Sequence, residues 1–192
     1  MILFRPKMGA IINLFIWKGC TMTKKVLTRE QVIEILLKNY RPFYNITMCE
    51  ESQKPLIAEC DFFEQNEKYV LSRKANLYTT KAEEFLYIID VDRLTKDLFH
   101  KWLTYCHEEG MKKANIGPNH MYTYITPVFI CNTCDADAAK AIKKCRIYKS
   151  FHFSLHGWMD VHTCAIIVQD NDIISNASGR QNGKILKKVL FS

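Results

Sequence analysis

Glycine and proline are scarce in this chain of 192 residues, which has seven glycines and five prolines. That scarcity excludes collagen-like, proline-rich and low-complexity architectures, because all of them need far more of these two residues. No apolar run reaches the roughly 20 residues that a helix needs to cross a bilayer. The chain also lacks a glycine-rich nucleotide-binding loop and a Gly-x-Ser-x-Gly nucleophile elbow. No recognised motif therefore assigns an activity.

The composition is that of a globular domain, with 48% hydrophobic and 24% charged residues. We expect one α+β domain over residues 22–192, long enough to bury a core. The net charge is +7, but Arg5, Lys7 and Lys18 lie in residues 1–21, which hold no acid. Subtracting these three from the 27 Lys and Arg leaves 24 basic against 20 acidic side chains. That small surplus does not favour nucleic acid as a partner.

Residues 1–21 form an N-terminal extension that we expect to lie outside the fold. Their apolar stretch is short, and Trp17 and Lys18 stand where a cleaved signal peptide needs small residues. Met22 offers a second translation start, shortly before the predicted first helix. A signal or membrane-surface segment and a genuine structural element remain the alternatives.

The eight cysteines lie mostly inside apolar, periodic segments, where a cysteine behaves as a small buried hydrophobe. This pattern predicts reduced thiols and a cytoplasmic protein. Cys131 and Cys134 have the spacing of a metal-ligand or redox pair, but no second pair completes a zinc site. We interpret them as buried or incidental thiols, with a metal or redox role as the alternative.

The periodicity of apolar residues predicts the element order αβββαβαββα. This order is typical of an α+β fold with a single layer of mixed β-sheet and helices packed on it. The helices are expected after Thr28, Thr95, Asp135 and Ser178, with capping boxes completed by Gln31 and Gln181. The strands are expected at residues 55–63, 68–78, 84–90, 121–130, 150–155 and 161–168.

Three details of the sheet follow from these assignments. A polar turn at residues 64–67 should join the first two strands as a hairpin. The third strand is almost wholly apolar, which predicts a central position in the sheet. Pro127 in the fourth strand indicates an edge or a bulge, since proline has no N–H for a ladder.

The last two strands carry a cluster of metal-ligand residue types. Alternation places His152 and His156 on one face of one strand, and Asp160 and His162 on one face of the next. If the strands pair, these four side chains could hold a transition metal. The other interpretation is a solvent-exposed face, with Phe151, Phe153 and Leu155 on the opposite, core-facing side.

Trp158 follows a glycine between these two strands. Its ring is expected to cover the core, because Leu155 and Met159 beside it are apolar. If the ring is exposed instead, Trp158 is a candidate for partner binding.

The αβββαβ run resembles the core of restriction-endonuclease-like nucleases. That family holds a divalent cation with an acidic residue on its second core strand and a Glu/Asp-x-Lys triplet on its third. The predicted third strand here has no such triplet, and the nearest substitute is Glu59 and Asp61 with Lys74 on the hairpin partner. The alternative is a charge ladder on a solvated sheet face.

Three segments, residues 66–78, 120–130 and 149–158, resemble a family of small uncharacterised proteins of anaerobic Gram-positive bacteria and some archaea. The resemblance covers roughly residues 24–190 and implies no functional residue, because this domain of unknown function has no assigned activity. The expectation is therefore a small cytoplasmic binding or accessory domain that contacts a protein partner or forms a homo-oligomer. The alternative is a divergent metal-dependent hydrolase or nuclease. No cofactor is predicted, although a divalent metal could be held by the side chains above.

Overall fold

The computed structural model describes residues 27–68 and 78–191. The described helices are α1 (Arg29–Tyr40), α2 (Lys96–Lys113), α3 (Ala136–Lys144) and α4 (Arg180–Phe191). The strands are β1 (Asn45–Met48), β2 (Leu56–Lys68), β3 (Tyr78–Leu94), β4 (His120–Cys134), β5 (Tyr148–Ser150), β6 (Trp158–Val161), β7 (Cys164–Ile167) and β8 (Asp172–Ser175). Together they form a mixed, open sheet of eight strands with helices, so the predicted α+β class is confirmed.

The sheet changes from antiparallel to parallel at its centre. Strands β1, β2 and β3 pair antiparallel, and β4 then lies parallel to β3 after the α2 crossover. On the side away from β3, β4 pairs with two strands in succession. Strand β6 pairs with its first half and β7 with its second half. Strand β5 pairs antiparallel with β6, and β8 pairs antiparallel with β7.

Pro127 was expected at an edge or a bulge; β4 is an interior strand, but the ladder on one side of it is interrupted at this residue. The pairing with β6 ends at Ile125 and the pairing with β7 begins at Val128. The missing N–H of Pro127 therefore falls in the gap between the two partner strands. The carbonyl of Pro127 accepts a hydrogen bond from the Thr163 hydroxyl at 3.2 Å, and Thr163 joins β6 to β7.

Helices cover both faces of the sheet. Phe99 and Leu103 of α2 and Ile142 of α3 pack on one face, and Val32 and Leu36 of α1 and Leu186 of α4 pack on the other. Most side chains of β3 and β4 are buried between these layers. The predicted central position of the third strand is therefore confirmed.

The starts of the first two helices follow their predicted caps. The Thr28 hydroxyl accepts from the Gln31 N–H at 3.3 Å, and the Gln31 side chain accepts from the Thr28 N–H at 3.0 Å. Thr95 caps α2 by accepting from the Leu98 N–H at 3.2 Å. These boundaries depend on a few neighbouring residues, which is why the sequence pattern locates them.

The hairpin between the first two long strands differs from the prediction. Residues 64–67 are not a turn, because β2 continues through them to Lys68 and pairs with β3 from Tyr78 onward. The antiparallel ladder runs from Ala58 to Lys68 without a break in register. Residues 69–77 lie outside the described part of the chain.

Candidate functional site

The segment between β5 and β6, residues 151–157, is a tightly hydrogen-bonded turn that we call the hairpin tip. The strand predicted over residues 150–155 is therefore wrong beyond Ser150, where β5 ends. The Phe151 N–H donates to the Gly157 carbonyl at 3.0 Å, and the His156 N–H donates back to the Phe151 carbonyl at 3.2 Å. Two further bonds cross the turn, from Leu155 N–H to the His152 carbonyl at 2.9 Å and from Gly157 N–H to the Ser154 carbonyl at 3.2 Å.

The tip contains an unusual run of left-handed backbone. His152, Phe153 and Ser154 have φ angles of 48°, 51° and 67°. Each such residue costs about 1–2 kcal/mol for an L-amino acid with a side chain. Gly157 is also left-handed, and a Cβ there would collide with the carbonyl of Met121. Backbone strain of this kind is concentrated at functional sites in proteins.

The turn directs two large apolar side chains into solvent. Phe153 is 99% exposed and Leu155 is 75% exposed, so their prediction as core residues is wrong. Phe151, the third of that set, does pack against the core under α2 and α3. The alternation that predicted all three on one face applies to a strand, and the left-handed turn removes it.

Basic side chains lead into the tip. Arg146 and Lys149 are exposed, and the Lys149 ammonium lies 5.6 Å from the centre of the Phe151 ring. Tyr148 of β5, between them, is 61% exposed. The apolar tip is therefore approached along a positively charged, partly aromatic segment.

The four predicted metal ligands fall into two pairs. The rings of His152 and His156 lie in the tip with their centres 4.6 Å apart. Asp160 and His162 lie after it, with 3.5 Å between Asp160 Oδ2 and His162 Nε2. Among residues 27–68 and 78–191, no three His, Cys, Asp or Glu side chains are grouped closely enough to hold a metal ion.

Trp158 is the first residue of β6 and is half-buried. Its ring lies 5.9 Å from that of Tyr122, which stacks on Tyr124 at 4.4 Å. The ring of His162 stacks on Tyr124 at 4.2 Å and completes a row of four rings. Of the two apolar neighbours of Trp158, Met159 is buried and Leu155 is exposed.

Glu59 and Asp61 project from β2 on the face covered by α2, and both bind Lys113 at the end of that helix. The Lys113 ammonium donates to Glu59 at 2.7 Å and to Asp61 at 3.0 Å. Burial lowers the pKa of Lys113, but its hydrogen bonds to the two carboxylates outweigh burial and raise that pKa overall. Lys74, predicted as the third member, lies outside the described residues.

Lys113 also lies over two aromatic rings, those of Phe85 and Tyr87, at 5.7 Å from each centre. The Tyr87 hydroxyl is buried beside this pair of carboxylates and has no hydrogen-bond partner among the described residues. Sequence reasoning missed Lys113, because no local pattern relates the end of α2 to a strand more than 50 residues earlier.

Cys131 and Cys134 are free thiols in the structure. Burial raises the pKa of Cys131 to about 12, and burial also raises the pKa of Cys134. Reactive and metal-binding cysteines need a thiolate, which a lowered pKa provides. Neither thiol has the lowered pKa that is typical of reactive cysteines.

Glu84 is a buried carboxylate that the sequence reasoning did not single out. It is only 4% exposed, and its carboxylate accepts hydrogen bonds from Tyr44 at 2.8 Å and Thr126 at 2.7 Å. Burial raises the pKa of Glu84 above its usual value. The signal in the sequence is the acidic pair Glu83 and Glu84 at the start of an apolar strand.

A family model described as a domain of unknown function (DUF8052) matches residues 28–188. No curated protein matches the chain, and no solved structure does. The match begins at the cap of α1 and ends within α4. It therefore covers the hairpin tip, the pair Glu59 and Asp61, and Glu84. In the described part of the chain no helix has the length and apolar character to cross a membrane.

Proposed function

The chain belongs to the DUF8052 family, whose domain has no known function, and we propose that it acts by binding a partner protein through the hairpin tip. The observation that carries this proposal is the 99% exposure of Phe153 on an ordered, strained turn. Aromatic residues are enriched among the side chains that dominate binding energy at protein interfaces.

The energetics favour a contact at this position. Burying a fully exposed Phe or Leu contributes about 2 kcal/mol each. The four backbone hydrogen bonds of the turn hold it in one conformation before binding. Binding then loses little loop entropy, which is the usual penalty for a flexible contact segment.

The charges around the tip indicate the chemistry of the surface that the partner would present. Arg146 and Lys149 are exposed on the approach to Phe153. A pocket with an apolar floor and acidic residues at its rim would complement both features. We assign the interaction to the cytoplasm, a placement that the seven free thiols among the described residues support.

Site-specific photocrosslinking in the host cell tests the proposal. A photoreactive phenylalanine analogue at position 153 should give a discrete protein adduct, and Leu155→Ser in the same chain should reduce it. Met48 provides the matched control position, because it is 57% exposed on β1, at the opposite end of the strand order from β5. An adduct with a second copy of this chain would identify the partner as a homo-oligomer.

The proposal fails if position 153 gives no adduct, or gives the same products as position 48. It also fails if the tip binds vesicles of anionic phospholipid and Phe153→Ser abolishes that binding. In that case the exposed rings and the basic approach would serve a membrane surface instead.

Metal-dependent hydrolysis is a second candidate function. The two predicted carboxylates, Glu59 and Asp61, do lie together on β2, but both are ion-paired with Lys113, at 2.7 Å and 3.0 Å, and a divalent cation would have to displace that ammonium. Two carboxylates and a lysine can bind a divalent cation and steady a phosphate. Mn²⁺-dependent cleavage of a phosphodiester, lost in both Glu59→Gln and Asp61→Asn, would support it. Activity that is absent, or unchanged in these variants, would exclude it.

A further inference from the structure

We propose that His152 and His156 form a binding site for a divalent transition metal at the hairpin tip. The two imidazoles face each other across the turn, with ring centres 4.6 Å apart and ring planes inclined by 48°. Two imidazoles that share a zinc ion at about 2.0–2.1 Å from each nitrogen have ring centres roughly 5 Å apart. Small side-chain rotations therefore bring both rings into ligating positions.

His152 is exposed and His156 is half-buried, and their ring nitrogens are available, unlike those of His120 and His162. His120 uses both nitrogens, at 2.7 Å from the His156 carbonyl and 2.7 Å from Thr123 Oγ1. His162 places its Nε2 at 3.5 Å from Asp160. No hydrogen bond from a described residue reaches the rings of His152 or His156.

The backbone holds the pair in place. His120 Nδ1 anchors the carbonyl of His156, and the His156 N–H is bonded to Phe151. The left-handed conformation at His152 turns its side chain back toward His156. The backbone of both residues is therefore fixed before a metal arrives, so binding has to order only the two side chains.

The donor set selects the class of metal. Imidazole nitrogen suits zinc, copper and nickel, whereas magnesium and calcium require oxygen ligands. Two protein ligands leave two positions of a tetrahedral zinc ion open to water. A metal that joins residues 152 and 156 would also lock the turn that presents Phe153. The site itself does not depend on the proposed partner contact.

Calorimetric titration of the reduced full chain with Zn²⁺ tests this site. His152→Asn and His156→Asn should each weaken the binding at least about tenfold, and Zn²⁺ should raise the melting temperature of the wild type more than that of either variant. Asparagine is chosen for position 152 because it tolerates left-handed backbone. His100→Asn and His107→Asn on α2 are the matched controls and should bind Zn²⁺ like the wild type.

Zinc bound by cysteines would persist in all four variants, so the difference between them isolates the imidazole pair. Equal Zn²⁺ affinity in the wild type and both tip variants would overturn the proposal. So would Mg²⁺ binding that competes with Zn²⁺ at this pair, because imidazole ligands do not hold magnesium. Neither result bears on the crosslinking experiment at position 153.

Discussion

The buried carboxyl group of Glu84 makes the stability of the fold depend on pH. Burial raises its pKa, although hydrogen bonds from Thr126 and Tyr44 and the charge of His162 oppose the shift. Between the usual pKa of 4.5 and the raised value, the folded protein binds more protons at this site than the unfolded chain. The stabilisation linked to Glu84 is therefore complete below pH 4.5 and is lost as the pH rises through the folded-state pKa.

Glu84→Gln should remove this dependence, because glutamine does not titrate. The free energy of unfolding of the wild type, minus that of Glu84→Gln, should decrease as the pH rises from about 4 to about 8. Urea denaturation of both proteins across this range measures the difference. A difference that stays constant or increases with pH would contradict the assignment.

Asn176 is the second residue whose buried contacts predict a large effect. It is 1% exposed, its carbonyl accepts from the N–H groups of Thr163 and Gly179, and its amide donates to the carbonyls of Val161 and Cys145. Each buried group left without a partner costs about 1–3 kcal/mol. Asn176→Ala should therefore lower the free energy of unfolding by at least about 3 kcal/mol.

Chemical denaturation measures this loss, and Asn132→Ala serves as its control. The Asn132 amide donates to Asp92 at 2.6 Å in an exposed pair, so its removal should change stability by about 0.5 kcal/mol or less. Equal effects of the two substitutions would show that the contacts of Asn176 do not stabilise the junction of β6, β7 and α4.

Among the elements, the helix caps at Thr28 and Thr95 were predicted correctly, whereas the turn at residues 64–67 and the strand at the hairpin tip were not. The caps at Thr28 and Thr95 were predictable because both halves of each contact lie within three residues. The hairpin tip was not, because Phe151, Phe153 and Leu155 alternate as they would in a strand. The bonds across the turn, from the Phe151 N–H to the Gly157 carbonyl and from the His156 N–H to the Phe151 carbonyl, reveal that the chain reverses there.

Two substitutions at the tip distinguish the turn from the predicted strand. Phe153→Ser should leave the free energy of unfolding within about 0.5 kcal/mol of the wild type, because the ring contacts solvent. Phe151→Ser should lower it by at least about 1 kcal/mol, since that ring packs against the core. Equal losses in chemical denaturation would instead favour the strand, with both rings in the core.

For the whole molecule, the fold class and the central third strand were predictable from apolar periodicity. The pairing of β4 with two successive strands was not, because it depends on contacts between residues far apart in the chain. The same reason hid Lys113 from the sequence. The separation of His152 and His156 from Asp160 and His162 has a local cause, the left-handed turn at residues 152–154. A pattern within a few residues does not report which distant element completes a site.

The N-terminal extension allows a test of the predicted domain limits. A chain beginning at Met22 should keep the melting temperature of the full chain, because the capping box at Thr28 starts α1 without upstream residues. Differential scanning calorimetry of both chains measures this. A large loss of melting temperature in the shorter chain would show that residues 1–21 stabilise the fold.

The central claim is that Phe153 inserts into a partner protein, and the affinity of the purified complex tests it most directly. With the partner captured at position 153, calorimetry should show that Phe153→Ser weakens binding at least about tenfold, since burial of the ring contributes about 2 kcal/mol. Met48→Ser, which changes an exposed apolar residue on β1, should bind like the wild type. Equal affinity of Phe153→Ser and the wild type would contradict the claim.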